Sequence, residues 1–198
     1  SAHAADPRPD MHALAQEITN MQKFMLTEAD FSDPKNEKNI RDSISVIDKH
    51  VQHLGEGTFA EDPALKVNLS MLQQHISDAS RSFNSGGKSF ARFMLQSSLQ
   101  MCIACHTRGK TQDFALPESD LSKLKAEDKA DFYFATRRFE KGRVEFEQMI
   151  LNFPRNEVGL FPLRKALISM AVYYSRVKSD PASGAAFFER AAGNSNLP

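Results

Sequence analysis

Apolar residues recur every three or four positions along the first 110 residues, a spacing that places them on one face of an α-helix. No stretch alternates apolar and polar residues in the way that a half-buried strand does. Proline and glycine signals at Asp33-Pro34, Asp62-Pro63 and Gly86-Gly87 divide the pattern into four segments. The predicted helices span 9–29, 36–54, 63–84 and 88–108. Because the connections between them are short, the sequence predicts an all-α fold that begins with an antiparallel four-helix bundle.

The fourth predicted helix carries both cysteines of the chain, in the pentapeptide Cys102-Ile103-Ala104-Cys105-His106. C-x-x-C-H is the attachment signature of c-type haem, in which each thiol adds to one vinyl group and the histidine offers its imidazole to the iron. Three positions along a helix bring the two sulfur atoms to one side. A redox disulfide is disfavoured because no βαβ pattern precedes the motif, and a zinc site because no second Cys/His pair appears at ligand spacing. The motif predicts one covalently attached haem c.

The expected topology indicates what surrounds this haem. In an up-down-up-down bundle, the start of the first helix and the end of the fourth share one end with the loop 55–62 and Leu65. Met11 lies on the apolar stripe at that level, and its thioether is a soft donor that completes six-coordinate iron. Phe59 and Leu65 are candidate haem-wall residues by position. His12 adjoins Met11 on the polar face, so the sequence leaves three possibilities open: Met11, His12 or no sixth ligand.

Two further predictions concern side chains near the proposed haem. The buried stripe of the fourth helix is expected to consist of Phe90, Met94, Ser97, Met101 and Cys105. His50 and His53, at the end of the second predicted helix, are expected to be solvated or capping residues rather than ligands.

Residues 6–110 resemble the cytochrome c-prime superfamily of four-helix-bundle cytochromes. The resemblance is carried by Met11-x-x-Leu14-x-x-x-Ile18 near the start and Cys102-x-x-Cys105-His106 near the end. Members with methionine at the helix-one position are low-spin electron carriers, whereas members with a bulky apolar residue there bind small gases. The resemblance therefore implies an electron carrier whose iron is held by His106 and Met11. It also implies a homodimer, unless the rest of the chain covers the dimer face.

After a predicted linker at 111–119, residues 120–198 contain a weak internal repeat. Two short patterns recur after 41 and 42 residues, Ala130-x-x-Tyr133 as Ala171-x-x-Tyr174 and Gly142-x-x-x-Phe146 as Gly184-x-x-x-Phe188. The pattern resembles the tetratricopeptide repeat, although Ala126 and Leu167 replace the usual opening aromatic and the period exceeds the usual length of about 34 residues. The resemblance implies two helical hairpins that dock a protein partner.

Charge and hydropathy exclude several partners. Lysine plus arginine and aspartate plus glutamate both total 25, so the chain lacks the basic excess that nucleic-acid binding requires. No apolar run approaches the roughly 20 residues that a membrane span needs.

Because haem is attached covalently outside the bacterial cytoplasm, the motif predicts an exported, periplasmic protein. Its signal peptide is expected to be absent from this sequence, and Ala2-His3-Ala4 has the form of a cleavage site or of a tag remnant.

These observations favour a non-enzymatic cytochrome that transfers single electrons between redox partner proteins, with the repeats as a docking module. Two alternatives remain open at this point. One is a gas-binding or haem-sensing protein with an open sixth site, and the other is a repeat-based interaction protein with a structural haem. The hydrolase motifs G-x-S-x-G and H-E-x-x-H are absent. The motifs also supply no distal acid–base pair for a haem peroxidase.

Overall fold

The computed structural model describes residues 8–54, 62–108, 121–155 and 158–197, and over these residues the regular structure is entirely helical. The predicted all-α class is therefore confirmed for the described part of the chain. The helices are α1 (Arg8–Met25), α2 (Glu28–Ser32), α3 (Glu37–His53), α4 (Pro63–Asn84), α5 (Lys88–His106), α6 (Ala126–Ala135), α7 (Phe139–Leu151), α8 (Leu160–Val172), a π-helical turn (Tyr173–Val177) and α9 (Pro181–Ala192). None of the helices described here combines the length and apolar character that crossing a membrane requires.

The chain divides into two units, and the division falls within α5, between Cys102 and Ile103. The first unit holds the described residues up to 102 together with 121–123. The second unit holds 103–108 and the described residues from 124 onwards. The predicted linker 111–119 lies outside the described residues.

Helix α4 shows how local signals set the bounds of an element. The Asp62 carboxylate accepts hydrogen bonds from the backbone N–H groups of Ala64 and Leu65, at 2.9 and 3.2 Å. Pro63 occupies the first helical position, where its missing N–H leaves no bond unmade. The helix starts and ends at the predicted residues 63 and 84.

The predicted continuation of the first helix to residue 29 is wrong, because α1 ends at Met25 and a separate helix, α2, begins at Glu28. Thr27 caps α2, since its hydroxyl accepts the Asp30 N–H at 3.0 Å. The change of direction carries Phe31 into the core, where it is fully buried and meets the Phe83 ring edge-on at 5.5 Å. Burial of this large side chain outweighs the continuation of one straight helix.

The long helices of the first unit run antiparallel to their neighbours, as their side-chain hydrogen bonds demonstrate. In each neighbouring pair, residue numbers rise along one helix while they fall along the other. The bonds join Glu17 to Ser43 and Asp10 to His50 between α1 and α3, Ser77 to Asp48 and Gln52 to Gln73 between α3 and α4, and His75 to Met94 and Asn68 to Met101 between α4 and α5.

The buried face of α5 differs from the predicted stripe. The buried residues of this helix are Ala91, Met94, Leu95, Ser98 and Leu99. Phe90, predicted to be buried, is 58% exposed and stacks on the exposed Phe93 at a centroid distance of 6.4 Å. Ser97, Met101 and Cys105 are half-buried. Apolar side chains occupy two adjacent faces of α5. The face that packs against the other helices is centred about one position later in the sequence than the predicted face.

Glycines and aromatic rings pack together in the second unit. Phe134 is fully buried and meets the rings of Phe139 and Phe146 edge-on, at 5.5 and 5.1 Å. A methyl group added at Gly142 would lie 2.4 Å from the Phe134 ring, so only glycine lets α7 approach α6 this closely. Gly184 of α9 lies against Tyr174 in a similar way, since an added methyl group would lie 2.9 Å from the tyrosine Cβ.

Substitution Gly142→Ala is expected to destabilise the second unit by about 1–3 kcal/mol, because the new methyl group overpacks the Phe134 ring. The three tyrosines all lie in the second unit and the chain contains no tryptophan, so tyrosine fluorescence during urea unfolding monitors this unit selectively. Gly193→Ala is the matched control, because Gly193 is exposed and already has helical dihedral angles. This control is expected to change the free energy of unfolding by about 0.5 kcal/mol or less. Equal effects of the two substitutions would contradict the assigned packing.

Candidate functional site

The C-x-x-C-H motif occupies the last two turns of α5, where Cys102, Cys105 and His106 are all half-buried. The two cysteines are not joined in a disulfide. Because the two cysteines are three residues apart on a continuous helix, their sulfur atoms lie on one face, about one turn apart. The two thiols thus lie one turn apart on α5, and the His106 imidazole follows the second one.

His106 is held by a hydrogen bond to the backbone of α6. Its ring nitrogen Nδ1 lies 2.6 Å from the carbonyl oxygen of Ala135. Burial lowers the pKa of His106 to about 4, and the positive charge of Arg137 acts in the same direction, against the opposing influence of the carbonyl. The imidazole is therefore neutral at pH 7. Since a carbonyl only accepts hydrogen bonds, Nδ1 carries the proton and Nε2 carries the lone pair, which is the form of histidine that coordinates a metal.

Two of the remaining predicted haem residues, Met11 and Leu65, belong to the first unit. Met11 is half-buried in α1 and packs against the core of this unit. Leu65 is half-buried in the first turn of α4. Phe59 lies outside the described residues, so its predicted role has no structural counterpart here. Ligation of iron by Met11 stays a prediction, as does the haem-wall role of Leu65.

Two further histidines and two methionines have clear structural positions. His12 is exposed, as its place on the polar face of α1 predicts. His75 Nε2 lies 2.8 Å from both the Met94 carbonyl oxygen and the Ser97 hydroxyl, so this residue links α4 to α5. Met21 and Met25 are buried in the core of the first unit.

A second group of metal-binding side chains, the Asp10 cluster, consists of Asp10, His50 and His53. The Asp10 Oδ1 atom lies 2.7 Å from His50 Nδ1 and 3.7 Å from His53 Nδ1. His50 is expected from the sequence to be a solvated or capping residue. Its side chain is only 23% exposed and pairs with Asp10, so it is not freely solvated, and it lies in the last turn of α3. His53 is 55% exposed, in agreement with its predicted polar position.

The antiparallel packing of α1 and α3 creates the Asp10 cluster. Asp10 lies in the first turn of α1, where the positive end of the helix dipole stabilises a carboxylate. His50 and His53 lie in the last turn of α3, and residues three apart share one face of a helix. The spacing of the two histidines was a usable sequence signal, but their partner lies 40 positions earlier in the chain. Only the packing of the two helices identifies it.

A positively charged cleft of about 370 Å³ lies in the second unit, beside the π-helical turn. Its charged lining residues are Arg137, Arg138, Lys141, Lys178 and Glu140. Tyr173 also lines the cleft, and its hydroxyl donates a hydrogen bond to Glu140. Four of these lining side chains are cationic and one is a carboxylate, so the lining itself is mostly basic.

The low pKa of His106 makes the stability of the haem-free chain depend on pH. The relevant background carries Cys102→Ser and Cys105→Ser. In the unfolded chain His106 has a pKa of 6.5, whereas in the folded chain its pKa is about 4, so between these pH values the unfolded chain binds a proton that the folded chain does not. The free energy of unfolding therefore falls as the pH drops through this window, by a few kcal/mol at most, since one pKa unit corresponds to about 1.4 kcal/mol. His106→Asn keeps a donor for the Ala135 carbonyl but does not titrate. As the pH falls, this variant should therefore lose less stability than its parent.

Urea unfolding monitored by tyrosine fluorescence at about pH 7 and about pH 5 measures this difference. His12→Asn serves as the control, because His12 is exposed, and it should show the same pH dependence as its parent. An identical loss of stability in the His106→Asn chain would show that His106 is not the titrating group.

Comparison with protein-family models, with curated proteins and with solved structures gives no match to this chain. The candidate function therefore depends on the C-x-x-C-H motif, on the His106 hydrogen bond and on the positively charged cleft.

Proposed function

We propose that this chain is a mono-haem c-type cytochrome that carries single electrons between protein partners. Cys102 and Cys105 would hold the haem through two thioether links, and the His106 imidazole would bind its iron. The observation that carries the proposal is the hydrogen bond from His106 Nδ1 to the Ala135 carbonyl at 2.6 Å. It orients the ring and leaves Nε2 with the lone pair that a metal ligand requires.

The residues present fit a covalently bound haem. The thiols are not consumed in a disulfide, they lie three positions apart on one helix, and a neutral imidazole follows directly. When bound, haem supplies an iron that alternates between the ferric and ferrous states. Hydrogen bonding of Nδ1 to a carbonyl makes the imidazole more electron-donating, which stabilises ferric iron and lowers the reduction potential. The protein thus tunes the potential through the contact between α5 and α6.

Met11 is the proposed sixth ligand. Within the first unit, Asp10 of α1 bonds to His50 near the end of α3, and Asn68 near the start of α4 bonds to Met101 near the end of α5. These bonds support an antiparallel four-helix bundle in which the start of α1 and the motif-bearing end of α5 share one end. Met11 follows Asp10 directly at that end and is half-buried. A thioether at the sixth position favours low-spin electron transfer over the binding of small gases.

The second unit is proposed to dock protein partners through two tetratricopeptide-like helical hairpins. Support comes from the close approach of α7 to α6 at Gly142 and of α9 to the π-helical turn at Gly184. The positively charged cleft beside Lys141 and Lys178 is suited to an acidic partner. Since covalent haem attachment takes place outside the bacterial cytoplasm, the proposal also entails export to the periplasm.

Haem attachment is tested by producing the chain in a bacterial host that exports it and attaches c-type haem. The parent chain should retain haem on a denaturing gel, because two thioethers survive denaturation. The single variants Cys102→Ala and Cys105→Ala should retain less haem, and the double variant should retain none. A mass spectrum showing two unmodified thiols in the exported parent would refute the proposed cofactor.

Met11→Leu tests the sixth ligand, since leucine preserves the apolar volume but removes the sulfur donor. The variant is expected to lose the Met-to-iron charge-transfer band of the ferric protein in the near infrared. Its reduced form should bind carbon monoxide, which the six-coordinate parent resists. Met21→Leu is the matched control, because Met21 is a buried core residue of the same helix, and it should keep the parental spectrum. Persistence of the band in Met11→Leu would exclude Met11 as the ligand.

A further inference from the structure

The Asp10 cluster has the donor atoms of a metal site distinct from the C-x-x-C-H motif. One carboxylate oxygen and one nitrogen from each of two imidazoles all lie within 4.8 Å of one another. Imidazole and carboxylate groups together are suited to zinc and related divalent transition-metal ions. We propose that Asp10, His50 and His53 bind one such ion, with Zn²⁺ as its representative.

The distances between the donor atoms are close to those of a tetrahedral site. With metal–ligand bonds of about 2.0–2.1 Å, two ligand atoms of a tetrahedral zinc lie about 3.3 Å apart. The Asp10 Oδ1 atom lies 2.7 Å from His50 Nδ1 and 3.7 Å from His53 Nδ1, so the two observed distances bracket this value. Small side-chain rotations bring both nitrogens and the oxygen to coordinating distance. The hydrogen bond between Asp10 and His50 is then replaced by bonds to the ion.

The backbone that carries the donors is held by the core of the first unit. Leu14 lies one turn after Asp10, Val51 follows His50 and Leu54 follows His53, and all three are buried in the same apolar cluster. Burial of these side chains fixes the start of α1 against the end of α3. Folding therefore orders most of the site before an ion binds, so binding itself loses less conformational entropy.

Solvent reaches the Asp10 cluster from one side. The side chains of Asp10 and His50 are about a quarter exposed, and that of His53 is more than half exposed. An ion can enter from this side, and a water molecule can occupy the fourth coordination position. Three protein ligands with one open position is the arrangement of reactive rather than purely structural zinc sites.

The proposal does not depend on haem, and its test removes the competing thiols. In the full-length chain with Cys102→Ser and Cys105→Ser, titration with zinc chloride in a calorimeter should show saturable binding of one ion per chain. Cobalt(II) should give the strong visible bands of a tetrahedral complex, without the ultraviolet bands of thiolate ligation. Asp10→Asn and His50→Ala are each expected to weaken zinc binding by about tenfold or more.

His53→Ala is the most informative variant, because its exposed side chain can be removed without disturbing the core, and it too should weaken binding by about tenfold or more. His12→Ala is the matched control, since it removes an exposed histidine two positions from Asp10 and should leave the affinity unchanged. Far-UV circular dichroism establishes that each variant is folded. The proposal is overturned if the parent binds no stoichiometric zinc, or if folded His53→Ala and Asp10→Asn bind as tightly as the parent.

Discussion

The hydrogen bond between His106 and the Ala135 carbonyl is the interaction on which the proposed chemistry depends. This hydrogen bond orients the imidazole at the end of α5 and favours one tautomer. With it, the proton is placed on Nδ1, and burial together with the charge of Arg137 keeps the ring neutral. The imidazole that follows the two cysteines is thereby held in one orientation, as its proposed role as a ligand requires.

Each unit has its own apolar core, and each core positions a different group of functional side chains. The core of the first unit includes Leu14, Val51 and Leu54, which fix the helix ends that carry Met11 and the Asp10 cluster. The core of the second unit is built around Phe134, and Ala130 and Phe146 belong to it. Because His106 bonds to the residue after Phe134, the packing of α6 controls the proposed axial ligand.

Sequence patterns predicted the elements of the first unit wherever a local signal determined the outcome. Asp62 and Pro63 provide a cap and a first helical residue, so α4 begins where expected. The prediction failed where a distant contact outweighed a local preference. Phe31 turns away from the axis of α1 because a buried site beside Phe83 is available only in the folded protein. For the same reason, periodicity did not reveal that Phe90 faces solvent.

The chain by itself determined the helical class, the spacing of Cys102, Cys105 and His106, and helix boundaries that a local cap or proline marks, such as the start of α4. These features depend on residues within a few positions of one another, and the helix repeat relates such residues directly. The tertiary structure alone decided that His106 meets the Ala135 carbonyl and that Asp10 meets His50. Both contacts join residues at least 29 positions apart, and they form only when apolar faces pack and bring separate helices together.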